Sequence, residues 1–399
     1  MLLIFSGMNA SAQNAAEKSS PEAHTVAARG AHHRVWQRER LVTLPDGRTV
    51  NRPTGFTELA TGLHYFQDGA WLESRAEFVV TATGAAATRG QHQVFLTGNI
   101  NAPGAIEIHT ADKQVLKFRP VCLAYTDTAS GRSVVLAPVR DAEGILFPPN
   151  EVLYPAAFTG VRADVRVTYT KAGFESDVIL REKLPPPEDY GLDAATTLLE
   201  VWHECDAPAP EKSPRAVDGL TDETLRFGTM RIGRGTAFSL DATARRHHSP
   251  AVSKTWLRTE NPARSYLIES VRLPRVQKEL EQLPDRQAAR PQRAPGVPPG
   301  GDPGAGKMPA ARSRLAQLAT LSPPSARAAT PVRLAFDMKA VPPAHGLVLD
   351  YAVLNSQADP LTLQADTTYL VSAVVSLTDL IIEGGTVVKY VVGWGAYSN

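Results

Sequence analysis

The sequence predicts an all-β protein: one or two β-sandwich-like domains, a disordered linker rich in Pro, Gly and Arg, and a short C-terminal β region. Three observations predict it. Strand-prone runs recur about every 10 to 15 residues, with Gly, Pro, Asn or Asp between them. Asp-Gly sits between aromatic-bearing runs in Tyr65-Phe-Gln-Asp-Gly-Ala-Trp71, and both central residues of such a hairpin turn need positive φ. Helical periodicity is confined to one stretch near 275–283, where Val276, Leu280 and Leu283 share a face and Pro274 and Pro284 bound it.

Along the chain, the apolar Leu2-Leu-Ile-Phe and the small-x-small Ala10-Ser11-Ala12 read residues 1–12 as a truncated signal peptide whose start lies upstream, the alternative being a disordered N-terminus. Residues 13–34 are polar and aperiodic, a flexible leader. A β-sandwich-like domain is expected over 35–183. In Asp164-Val-Arg-Val-Thr-Tyr169 apolar and polar residues alternate, so that strand should turn one face to water. A Pro-rich joint at Leu184 opens a second β-rich domain, 184–285, which ends in the short helix.

Residues 286–328 hold eight prolines, five glycines and no aromatic, too little apolar surface to offset the entropy of ordering them. This linker carries seven Lys/Arg against one acid, Asp302, a net +6 within a chain of +1, which leaves the remainder at −5. That balance argues against nucleic acid as a partner. No run approaches the ~20 apolar residues of a membrane span. Residues 329–399 are expected to form a separate C-terminal β region. On this reading its removal from residue 330 leaves the melting temperature of the sandwiches unchanged, and Val387-Val-Lys-Tyr-Val-Val is an exposed apolar edge.

Two stretches resemble known families. Val152-Leu-Tyr-Pro-Ala-Ala-Phe, Asp164-Val-Arg-Val-Thr-Tyr and Asp177-Val-Ile-Leu, with the hairpin at Tyr65–Trp71 and with Lys254-Thr-Trp-Leu and Ser265-Tyr-Leu-Ile-Glu-Ser-Val, are similar to a β-rich ectodomain segment of large exported bacterial surface proteins. In those it precedes tyrosine-aspartate (YD/Rhs-type) repeats. The likeness spans about 35–284. Thr368-Tyr-Leu-Val-Ser and Leu380-Ile-Ile-Glu-Gly-Gly-Thr-Val-Val-Lys-Tyr resemble the first coil of a right-handed parallel β-helix, where glycine fits the tight turn. One coil cannot bury its face alone, so the resemblance implies that the chain is part of a longer protein.

Complete catalytic motifs are absent. Gly301-Asp-Pro-Gly-Ala-Gly-Lys307 lacks the Ser or Thr that a phosphate-binding loop places after its lysine, since Met308 stands there. His203-Glu-Cys-Asp-Ala207 has Ala where a zinc-protease helix needs its second His. His32-His33 and His247-His248 read as loop residues, and Asp164, Glu175 and Asp177 as acids on strand surfaces. The two cysteines, Cys122 and Cys205, are candidates for a disulfide, or for two buried free thiols in neighbouring strands. Trp71, Trp202 and Trp256 are candidates for stacking on sugar rings.

The functional expectation is a non-catalytic structural or interaction module of a bacterial secreted or cell-surface protein. It needs no cofactor, and its partner is a polysaccharide or a cell-surface protein. The alternatives are a carbohydrate-binding module, or the N-terminal part of a β-helical carbohydrate-active enzyme (polysaccharide lyase or hydrolase) whose site lies beyond residue 399.

Overall fold

The computed structural model describes residues 24–217, 219–233, 235–240, 249–260, 263–286, 311–321, 334–336 and 344–356, with short pieces at 361–363, 368–373, 375, 380–383 and 386–390. The expected signal peptide at 1–12, the loop-like motif at 301–308 and His247-His248 lie outside them.

Strands dominate, as the turn spacing predicts. An antiparallel meander comes first: β1 (Thr25–Gly30), β2 (His33–Thr43) and β3 (Thr49–Leu59). Its β1 corrects the flexible leader over 25–30. Val26 finds a cross-strand partner in Trp36, and such pairing stabilises a short polar strand. The hairpin β4 (His64–Gln67) to β5 (Ala70–Glu73) turns on Asp68 and Gly69, both at positive φ (51° and 82°), as Asp-Gly requires.

The first large sheet begins with β6 (Val79–Val80), β7 (Gly84–Ala87), β8 (Gln93–Thr97), β9 (Ile106–His109), β10 (Val115–Asp127) and β11 (Arg132–Pro138). A second follows with β12 (Ile145–Phe147), β13 (Glu151–Tyr154), β14 (Ala163–Tyr169) and β15 (Gly173–Leu180). After a 3-10 turn at Pro187–Tyr190, β16 (Thr197–Asp206) returns to the first sheet and pairs with β10. β17 (Glu211–Val217), β18 (Leu220–Phe227), β19 (Met230–Ile232) and β20 (Gly235–Ser239) belong to the second. β21 (Ala251–Glu260) pairs first with β20 and then with β22 (Ala263–Arg272), so it ties the sheets into a nearly closed, barrel-like whole.

The inward faces meet in one core, in which Leu116, Leu123 and Tyr125 of β10 share a cluster with Val165, Val167 and Tyr169 of β14 and Val201 of β16. Strands from both sides of the joint at Leu184 therefore share one sheet and one core. On β14 the alternation holds: its valines and Tyr169 face inward, while Arg166 and Thr168 are half-exposed. The short helix is α1 (Leu273–Glu281), with Leu273, Val276 and Leu280 buried.

Within the expected linker, Ala311–Leu321 is folded. β23 (Arg312–Ser313) pairs with β11, and α2 (Arg314–Leu318) follows. Leu318 packs on Trp202, Tyr266 and Ile268 on the outer face of the first sheet. Gln317 donates to the Ser133 carbonyl, and Arg314 reaches the fully buried Glu200. That carboxylate also accepts from Thr126, Trp202 and Ser270, so its burial is matched by hydrogen bonds.

β24 (Ala335–Phe336) runs parallel to β12, and β25 (Leu347–Ser356) lies between β15 and the pair β19 and β20. This corrects the separate C-terminal region expected from 329. Leu347, Val348 and Leu349 are fully buried, and an apolar run of that kind belongs in a central strand. The C-terminal β region proper comprises β26 (Leu361–Leu363), β27 (Thr368–Val371), β28 (Leu380–Ile382) and β29 (Val387–Tyr390). Leu361 lies opposite Leu380 and Thr368 opposite Val387, both parallel and both nineteen positions apart, which is the geometry of one coil stacked on the next. β27 also pairs in parallel with β3, so the meander caps the coil, and Leu59, Leu363 and Tyr369 form their shared cluster. Among the described strands, β1 and β29 are the two edges of this sheet.

Two outcomes follow. A chain ended at residue 343 loses β25 and exposes both its neighbours, so urea unfolding should lose its cooperativity. An unchanged transition would show that the sandwich closes without β25. The second concerns His92, buried against Tyr169 with ring centroids 4.8 Å apart. Burial lowers its pKa from 6.5 to about 4, opposed by a backbone hydrogen bond at Gly173. Between those values the unfolded chain binds the extra proton, so stability present above pH 6.5 is lost as pH falls toward 4. The loss attributable to this ring is on the order of 2–3 kcal/mol, and it should be missing from the stability–pH profile of His92→Gln. Burial shifts His203 the same way, but that ring has Glu269 Oε2 at 3.5 Å from its Nδ1, so the prediction rests on His92.

Candidate functional site

The β4–β5 hairpin stands against the sandwich and is held at its root. Gly62, at φ 74°, comes so close to the Lys171 carbonyl that a Cβ there would lie 1.8 Å from its oxygen. Its N–H donates to His32 Nδ1, and Gln91 Nε2 donates to the carbonyls of Ala31 and His64. His64 Nδ1 lies 2.9 Å from the Gly30 carbonyl. In a two-residue turn of this type Phe66 and Trp71 are direct cross-strand partners and share a face. Their rings meet edge to face at 5.2 Å, with Phe66 62% and Trp71 36% exposed.

Beside them opens a cleft of about 620 Å³ whose other walls include Gln67, Gln93, His109, Lys113 and the exposed Val115. Aromatic faces next to amide, imidazole and ammonium donors suit a ligand that is apolar on one side and hydroxylated on its rim. His109 is itself oriented, with Nε2 2.6 Å from Glu107 Oε1, and the Phe95 ring lies tilted against it at 4.8 Å.

A second cleft, about 600 Å³, opens where β10, β16, β21 and β22 end, beneath the loop at Pro103-Gly104. Arg119 Nη2 lies 2.7 Å and Arg264 Nη1 3.3 Å from the two oxygens of Glu204, an ion-pair row across three neighbouring strands. Arg119 also donates to Asn101 Oδ1, and Lys117 Nζ lies 3.1 Å from Glu107 Oε2. Burial works to raise the Glu107 pKa. The bonds from His109 and Lys117 outweigh it and hold the carboxyl below its usual range.

Of the three expected stacking aromatics, only Trp71 offers its ring to a ligand. Trp202 is fully buried, its Nε1 on Glu200, and Trp256 is buried edge to face on Phe227 at 5.7 Å, lining the second cleft without an open face. The strand acids are structural: Asp164 pairs with Arg181 at 2.7 Å and Asp177 with Arg166 at 2.6 Å. His203 points into the core, and the described residues hold no cluster of three metal-ligating side chains.

The disulfide reading is corrected in favour of two buried free thiols. Cys122 and Cys205 lie on the paired strands β10 and β16, but Cys122 packs in the outer cluster with Trp202 and Cys205 in the inner core. Their side chains leave opposite faces of one sheet and cannot meet.

The sequence reading missed Phe66, although the register of an Asp-Gly hairpin pairs it with Trp71. It also missed the Arg119–Glu204–Arg264 row, which no local signal marks. No protein-family profile matches this chain, and no curated protein or solved structure matches it.

Burial pushes both thiols well above the usual thiol range. A thiol reagent at pH 8 should therefore find no reactive group in the folded protein, and two per chain once it is unfolded without reductant. Reaction only after reduction would restore the disulfide.

Proposed function

We propose that this protein is a non-catalytic, exported interaction module of a bacterial surface or secreted protein, and that it holds a polysaccharide on the Phe66–Trp71 hairpin. The observation that carries the reading is the exposed aromatic pair on a hairpin anchored at its root, facing a cleft lined with hydrogen-bonding side chains. Large exposed aromatic surface is costly in water, and a rigid hairpin presents it without ordering a loop on binding. The export-like N-terminus and the likeness of 35–284 to exported ectodomains support the location. The parallel pairing at the C-terminus favours a second reading, a β-helical carbohydrate-active enzyme. Release of reducing sugar or unsaturated product from bound glycan would select it over the first.

Affinity electrophoresis through gels containing plant and bacterial polysaccharides tests the proposal. The intact chain should be retarded. Trp71→Ala and Phe66→Ala should each weaken binding about tenfold, near 1.4 kcal/mol, as loss of one stacked ring does. Their melting temperatures should be unchanged, because both rings are exposed. Absence of retardation in every gel, or variants that bind as the parent does, would refute the reading.

A further inference from the structure

The two clefts are neighbours on a single strand pair. Before the bulge at Pro120, the side chains of β10 alternate strictly. Leu116 and Phe118 enter the core, so Val115, Lys117 and Arg119 share the outer face. Val115 lines the aromatic cleft, while Lys117 and Arg119 line the other. One two-residue step, roughly 7 Å, separates Val115 from Lys117. On the adjacent β9, His109 lies opposite Val115 and Glu107 opposite Lys117. Glu107 accepts from both His109 and Lys117, so one carboxylate joins a wall of the first cleft to a wall of the second.

The far end of this surface is cationic. Lys117, Arg119, Arg258 and Arg264 line it against two acids, Glu204 and Asp206. Arg119 and Arg264 share the single carboxylate of Glu204, and Arg258 is exposed and makes no ion pair among the described residues. The chain outside the 286–328 segment has a net charge of −5, so this concentration of positive charge is opposite in sign to the rest of the chain. Guanidinium groups recognise carboxylates through paired hydrogen bonds, and an exposed arginine beside a partly satisfied pair has donors to spare.

We infer that the two clefts form one groove along β9 and β10 that takes an acidic polysaccharide, stacking a sugar ring on Phe66 and Trp71 and placing uronate carboxylates against Arg258, Lys117 and Arg264. This specifies the ligand class of the proposed function and rests on it.

The test compares polygalacturonate, alginate and hyaluronate with the methyl ester of each, which keeps the backbone and removes the charge. Binding to the intact protein is read by titration calorimetry at low and at high salt. At least one acid form should bind about tenfold more tightly than its ester at low salt, and the gap should close at high salt as the charges are screened. The double variant Lys117→Gln, Arg258→Gln should bind the acid no better than the ester while keeping its affinity for the ester. Trp71→Ala should weaken both. Equal affinity for acid and ester in all three pairs overturns this inference and leaves the saccharide reading standing. Binding of none of the six overturns this inference, and the saccharide reading falls with it only if the electrophoresis also shows no retardation in any gel. A preference for acid that survives the double variant places the carboxylate elsewhere and also overturns the groove.

Discussion

The pairing of β10 with β16 is the constraint on which most of this structure depends. It joins residues 117–127 to 197–206 across a long excursion through the second sheet, and the core closes only because the chain comes back. Loop-closure entropy opposes such a contact, and burial of Leu123, Tyr125, Leu199 and Val201 offsets it. The same register sets Arg119 opposite Glu204 and places Cys122 beside Trp202, while Cys205 faces Phe118 on the other side of the sheet. Ion pair, free thiols and outer cluster are thus consequences of one alignment.

Pro120 shapes what that alignment presents. Proline cannot donate to a ladder, and the register of β10 against β16 shifts between Pro120 and Cys122. Before the shift Leu116 and Phe118 face inward; after it Leu123 and Tyr125 do. The bulge therefore separates a charged outer surface at Lys117 and Arg119 from an apolar one at Val121, Cys122 and Ala124, which Leu318 covers. The groove and the docking place of α2 lie on one face of one strand, on either side of a proline.

The buried charges follow a similar economy. Glu200 is completely enclosed, yet Thr126, Trp202, Ser270 and Arg314 supply its hydrogen bonds, and Arg314 comes from a segment whose composition looks like a linker. A polar anchor of this kind specifies where a Pro- and Gly-rich segment settles, because an unpaired buried carboxylate would cost several kcal/mol. At the other end of the molecule, β3 offers its edge to β27, so the meander caps the parallel pairs and Tyr369 is buried against Leu59.

What the sequence determined by itself is local. Alternation and turn chemistry settle the all-β class, the Asp68-Gly69 hairpin and the helix around Val276 and Leu280, because each depends on residues within a few positions of one another. Pairing partners at long range were decided only by the tertiary structure. An apolar run such as Leu347-Val-Leu suits a central strand and a separate β region equally, and only the space left open between β15 and β20 selects the first. Exposure was decided there too. Trp71, Trp202 and Trp256 are equivalent as letters, but a hairpin leaves the first in solvent, whereas α2 covers the second and Phe227 the third. Arg119, Glu204 and Arg264 carry no shared local pattern, since three separate strands bring them together, and a row of that kind exists only once the sheet has closed.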